Sequence, residues 1–134
     1  MDTERNLAQA REIYAAFAAG DRQPFIDLIA PGCRVAYFGD PARIPWAGDY
    51  SGPEGFAEML GRIGKALAIK DYRASEFLPS DNALVVLGVG RGTARDSGRP
   101  FEAHWAHYIR YDGGQAVEFR VYNDTFALAD AVGL

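Results

Sequence analysis

Residues Pro100 to Phe126 read PFEAHWAHYIRYDGGQAVEFRVYNDTF. Two stretches in which bulky and polar residues alternate flank Asp112-Gly113-Gly114, and a Gly-Gly pair takes the positive φ values that a tight hairpin turn demands. The segment reads as a β-hairpin whose turn fixes the register. Successive strand side chains point to opposite faces, so Phe101, Ala103, Trp105, His107 and Ile109 share one face of the first arm, opposite Glu102, His104, Ala106, Tyr108 and Arg110. In the second arm Val117, Phe119, Val121 and Asn123 oppose Glu118, Arg120, Tyr122 and Asp124. The first set in each arm is the more apolar, which turns it inward. That puts His107, one of two histidines in the chain, among Trp105, Ile109, Phe119 and Val121.

Outward from the hairpin, Ala83 to Thr93 is a strong strand, Pro79-Ser80-Asp81-Asn82 a turn, and Lys70 to Leu78 a weaker strand. Ser51-Gly52-Pro53-Glu54 has the form of a capping box with Pro in the first turn, and the helix it opens carries Phe56, Met59, Leu60, Ile63 and Leu67 on one stripe. At the other end Leu7, Ala10, Ile13, Tyr14 and Phe17 recur at helical spacing up to Gly20. Asp21 caps a short second helix with Phe25, Leu28 and Ile29, stopped by Pro31-Gly32. Cys33 to Phe38 alternates as a strand, and Gly39 to Tyr50 is a loop that carries the large apolar Ile44 and Trp46. The tail from Ala127 to Leu134 is mildly apolar and is expected to pack back. Helices first and antiparallel strands afterwards mean an α+β fold, with a curved sheet wrapped over the first helix and a cavity at its open end.

A chain of 134 residues is the size of one domain, and residues 1–134 are expected to form one. Its net charge is −4 and its 14 Lys and Arg residues are scattered, which disfavours nucleic-acid binding. No apolar run approaches the ~20 residues that span a bilayer, and Met1-Asp2-Thr3-Glu4-Arg5 lacks the order of a signal peptide, so a cytoplasmic location is expected. Cys33 is the lone cysteine, and with two histidines a metal site is poorly supplied, so none is expected. Eight Phe, seven Tyr and two Trp exceed the needs of a small core and point to a lined cavity or a subunit interface.

Four stretches together carry a resemblance. Ile13-Tyr14-Ala15-Ala16-Phe17-Ala18-Ala19-Gly20-Asp21 resembles the first-helix signature of the SnoaL-like polyketide cyclases, within the nuclear transport factor two-like, ketosteroid-isomerase-like superfamily. Pro45 to Gly52 resembles the loop entering the third helix, Ala106-His107-Tyr108 with Gly113-Gly114 the last hairpin, and Phe119 to Thr125 the closing strand. The resemblance covers nearly the whole chain and implies a cone-shaped α+β barrel. Ketosteroid isomerases use a carboxylate base, a tyrosine and a protonated acid. Laid on this chain, those positions fall at Tyr37, Ile13 and His107, and none matches. The acid that limonene-epoxide hydrolases need on the closing strand falls at Val121, and their Arg-Asp pair has no Asp in the central strand.

His107 is the strongest candidate for chemistry, because an imidazole takes and gives protons near neutral pH and a desolvated pocket favours its neutral form. Its bland reading is a core histidine bonded to a neighbour. Tyr37, at the base position of the isomerase pattern, is the second catalytic candidate, as an orienting donor. Tyr14, Phe17, Trp46, Tyr50, Phe56, Trp105, Phe119 and Val121 are assigned to the wall of an apolar cavity. Asp40, Arg43 and Asp49 are candidate gating charges in the flanking loop. Asp124, on the outer face of the closing strand, is expected to anchor the strand end rather than catalyse. His104, Tyr108, Arg110, Arg120 and Tyr122 mark the convex sheet face, where a homodimer contact is expected. The leading expectation is a cofactor-independent isomerase or cyclase acting on a small, mainly apolar carbonyl compound. Its rivals are a module that binds such a ligand without turnover, and a structural dimer with a filled cavity.

Overall fold

In the computed structural model, which describes residues 2–133, the elements run α1 (Asp2–Ala18), α2 (Gln23–Leu28), β1 (Ile29–Tyr37), β2 (Gly48–Ser51), α3 (Gly52–Ala66), β3 (Leu67–Ser80), β4 (Ala83–Ala94), β5 (Pro100–Asp112), β6 (Gln115–Asn123) and α4 (Thr125–Val132). The six strands form one curved sheet in the order β2-β1-β6-β5-β4-β3, with β1 and β6 parallel and every other pair antiparallel. Its edges, β2 and β3, do not meet. The fold is α+β as expected, but the sheet stays open and does not close into a barrel. Helix α3 packs on β1 at one end of the sheet and α1 packs on β3 at the other.

The β5–β6 hairpin follows from its turn. Gly113 and Gly114 have φ of 60° and 84°, the two positive values of a two-residue primed turn, and Asp112 pairs with Gln115 across it. On β5 the odd-numbered side chains from Phe101 to Tyr111 are all buried. One expected position differs. A bulge leaves Val117 unpaired between Ala116, which faces Tyr111, and Glu118, which faces Arg110, so Ala116 and not Val117 takes the innermost place there.

Other boundaries also moved. Strand β1 starts at Ile29, so Pro31-Gly32 does not stop α2. It forms an irregularity inside the strand, where the missing Pro amide and the +77° φ of Gly32 break the ladder with β6. Gly48 to Tyr50, expected as loop, join Ser51 in the short edge strand β2. Ser51 stands at the N-cap of α3 but makes no side-chain cap bond, because Gly52 follows at φ +70° and the capping-box geometry is not set up. Leu67 opens β3 and does not end α3, and Pro79-Ser80 still belongs to β3, leaving Asp81-Asn82 as the turn. The tail packs back as α4 on β5, with Leu128, Ala129 and Ala131 buried; Leu134 lies outside the described residues. Asp124 caps α4, its Oδ1 accepting the Ala127 amide at 3.1 Å. On the outer face Phe38 stacks on Tyr122 at 4.9 Å, each 43% exposed.

Strand β4 makes room for the rings. Its inner face runs Leu84, Val86, Gly88, Gly90, Gly92, so bulk disappears along the strand just where β5 presents Trp105. Gly88 lies opposite Trp105, and a Cβ there would come within 2.2 Å of the indole Cζ2 and 2.3 Å of the Arg73 carbonyl. Gly88→Ala is therefore expected to cost roughly 1–3 kcal/mol through overpacking. Gly61→Ala in α3, where a methyl meets nothing within 4 Å, is expected to stabilise by up to about 1 kcal/mol. Urea midpoints at constant slope measure both.

Candidate active site

The concave face encloses a cavity of about 510 Å³. Each layer contributes: Phe17 from the end of α1, Phe25 from α2, Phe56, Met59, Leu60 and Ile63 from the α3 stripe, Tyr72 from β3, and Trp105, His107, Phe119, Val121 and Asn123 from the hairpin. Leu128 of α4 reaches in as well. The walls are mainly aromatic and aliphatic. Among the described residues that line it, Arg22 and Arg95 carry the only charges, and no Asp, Glu or Lys is present.

His107 is held by rings on several sides. Trp105 stacks on it at 4.3 Å, Phe119 lies at 5.0 Å and Tyr14 at 5.7 Å between centroids. Its Nδ1 is 2.7 Å from the Tyr14 hydroxyl, in a bond buried between α1 and β5. That hydroxyl has no other partner among the described residues. If Nδ1 carried the proton and donated, the phenol hydrogen would be left buried without an acceptor, so the favoured arrangement has Tyr14 donating to Nδ1. The ring proton then sits on Nε2, which has no partner among the described residues, on a side chain that lines the cavity. Burial drives the imidazolium pKa from 6.5 to about 3, so His107 is neutral at physiological pH. The same burial raises the Tyr14 phenol well above its ordinary value, which keeps its proton in place.

Tyr37 is the second polar group. Its hydroxyl accepts a hydrogen bond from Asn123 Nδ2 at 3.1 Å, leaving its own proton uncommitted. Burial raises its pKa, offset in part by the neighbouring Trp46 and Asn123. The Trp46 indole N–H lies close by without hydrogen-bond geometry. Tyr37 and His107 belong to one row across three strands, each paired with Val121. With strands ~4.8 Å apart their backbones are separated by about 10 Å, and both side chains stand on the concave face.

Of the sequence-expected residues, His107, Tyr37, Phe17, Phe56, Trp105, Phe119 and Val121 line this one cavity. Three do not. Tyr14 is fully packed behind His107. Trp46 is buried beyond Tyr37, meeting it edge-on at 6.1 Å. The Tyr50 hydroxyl turns away to donate to the Trp46 carbonyl at 2.6 Å. The reason for the last two is β2, which pairs on the outer side of β1 and carries its flanking aromatics past the cavity. Asp40, Arg43 and Asp49 also lie outside the lining. Asn123, Tyr72, Arg22 and Arg95 are polar lining residues that the sequence reading did not assign to the cavity. For Asn123 the signal was present, since hairpin parity already put it on the inner face.

The depressed pKa of His107 links to stability. Between about pH 6.5 and 3 the unfolded chain binds the proton that the folded chain refuses, so folding weakens as pH falls through that window. The His107 contribution is expected to be about 1.4 kcal/mol per pH unit there. His107→Gln should therefore show a shallower loss of stability than the wild type between pH 6 and 4 in denaturant titrations. Nitrogen-15 NMR at pH 7 should report a neutral ring protonated at Nε2.

The SnoaL-like domain family model matches residues 10–119. A solved NTF2-like protein of unknown function from Burkholderia pseudomallei K96243 is 25% identical, with a TM-score of 0.87 over 97% of this chain and 98% of that one. TerC, co-crystallised with polyporic acid, shares the fold at 19% identity and TM-score 0.83, over 97% and 99% of the two chains. So does a protein from Jannaschia sp. CCS1, provisionally named a SnoaL-like polyketide cyclase, at 15% identity and TM-score 0.80, over 97% and 92%. No curated protein matches the sequence. The family match over most of the chain, joined to the helix-backed curved sheet, makes this protein a member of the SnoaL-like domain family.

Proposed function

We propose that the protein takes a small, mainly apolar carbonyl compound into its cavity and promotes isomerisation or ring closure by proton transfer next to that carbonyl. One observation carries the reading: two neutral donors, His107 Nε2–H backed by Tyr14 and the Tyr37 hydroxyl backed by Asn123, belong to one aromatic-walled cavity. Preorganised donors in a site poor in water stabilise an oxyanion far better than water does, because they need no reorientation as charge develops. An enolate oxygen is such a charge. In this reading His107 is an electrophilic partner of the carbonyl and not a base, since its other nitrogen is already occupied by the Tyr14 proton. With no carboxylate among the described lining residues, water admitted through the mouth receives the carbon-bound proton and returns it to the neighbouring carbon as the enolate collapses to product. The polyporic acid co-crystallised with TerC and the cyclase name of the Jannaschia protein support a small ligand in a cavity of this fold.

A second reading, a module that binds the same ligand without turnover, is favoured by the absence of Asp and Glu among the described lining residues. One experiment separates the two. Deuterium exchange next to the carbonyl of 2-tetralone, followed by proton NMR, should be faster with protein than in buffer. Binding with no acceleration would favour the module. His107→Ala is expected to reduce the acceleration roughly 100-fold, the usual loss for one oxyanion donor. His107→Gln, which restores an N–H, should retain more of it. The pH profile should carry no inflection near 6.5, because His107 is neutral throughout that range.

A further inference from the structure

The cavity is electrically one-sided. The protein is acidic overall, with a net charge of −4, yet the charged side chains lining this space are Arg22 and Arg95. Both are exposed, whereas His107 and Tyr37 are 7% and 4% exposed, so the cations mark the mouth and the neutral donors the interior. Neither arginine belongs to an ion pair among the described residues. Arg95 is positioned by its Nε, which donates to the Gly64 carbonyl at 2.8 Å. Arg22 makes no side-chain hydrogen bond among the described residues. Its neighbour Asp21 is engaged with the Gln23 amide at 3.3 Å.

Unpaired guanidinium groups at the rim of an apolar cavity suit a ligand whose body is apolar and whose outer end is anionic. Guanidinium groups bind carboxylates through charge-assisted and often paired hydrogen bonds. At the mouth a carboxylate keeps part of its hydration, so the desolvation cost that bars charge from the interior is largely avoided. We propose that the ligand is an apolar ketone acid, its carbonyl at His107 and Tyr37 and its carboxylate at Arg22 and Arg95. This rests on the proposed occupancy of the cavity by an apolar carbonyl compound and adds the anionic end.

The test compares 4-benzoylbenzoate with its neutral isostere 4-benzoylbenzamide by titration calorimetry on the full chain. The acid is expected to bind roughly tenfold more tightly at low salt, the range for an ion pair at a partly exposed site. That preference should shrink in about 0.5 M NaCl, where the screening length is a few ångströms. In Arg22→Gln/Arg95→Gln the acid-to-amide ratio should fall to near one. Arg22→Gln alone, which breaks no hydrogen bond, should lower the ratio in a protein of unaltered fold. Equal affinity for acid and amide, or a preference that survives the double variant, would overturn the anionic end and leave the cavity reading intact. Failure of both probes to bind the folded protein would overturn the cavity reading, and the anionic end with it.

Discussion

The bond between the Tyr14 hydroxyl and His107 Nδ1 ties the first helix to the central strand across 93 residues of chain. A buried imidazole is tolerable only when its polar atoms are met, and here one is met by a phenol and the other belongs to a ring facing a cavity. The bond therefore does two things. It holds α1 against the concave sheet, and it decides which ring nitrogen keeps the proton. Desolvation makes the second effect durable, because a charged imidazolium among Trp105, Phe119 and Tyr14 is strongly disfavoured.

The hollow depends on missing side chains as much as on present ones. Along β4 the inner face loses its bulk at Gly88, Gly90 and Gly92, and Trp105 and Tyr72 stack at 4.9 Å over that stretch. Had those positions carried Val or Leu, as Leu84 and Val86 do further along, the rings would have no seat. A cavity in a packed interior must be bounded by groups that cannot collapse into it, and stacked rings held on a sheet meet that condition.

How much of this was legible follows from which interactions are local. The hairpin was readable because a double glycine and period-two alternation fix its faces without reference to the rest of the chain, so His107, Phe119 and Val121 could be set inward. Val117 escaped, since a bulge shifts parity and leaves no mark in composition. The capping box at Ser51 had the right letters, but the backbone at Gly52 decided otherwise. Trp46 and Tyr50 were drawn to the cavity by their size alone, and only the pairing of β2 on the far side of β1 reveals that they sit beyond it. Tyr14 could be placed on the buried face of α1, but its partner lies on a distant strand whose approach is a tertiary fact. Arg22 and Arg95 look in sequence like ordinary solvated loop charges.

Those arginines complete a gradient that the fold imposes. Deep in the cavity a carboxylate base would itself be desolvated and would take up a proton, unless a cation were buried beside it at further cost. Neutral donors avoid that penalty, because an N–H and an O–H bring no net charge yet still attract one that forms during reaction. At the rim water shares the load, and a guanidinium keeps its charge whatever the pH. Charge is thus kept where solvent can support it, and dipoles stand where it cannot. A ligand fitted to both ends would be fixed in orientation before any proton moves, and that prior orientation is what turns two modest donors into a site able to act on a chosen carbon.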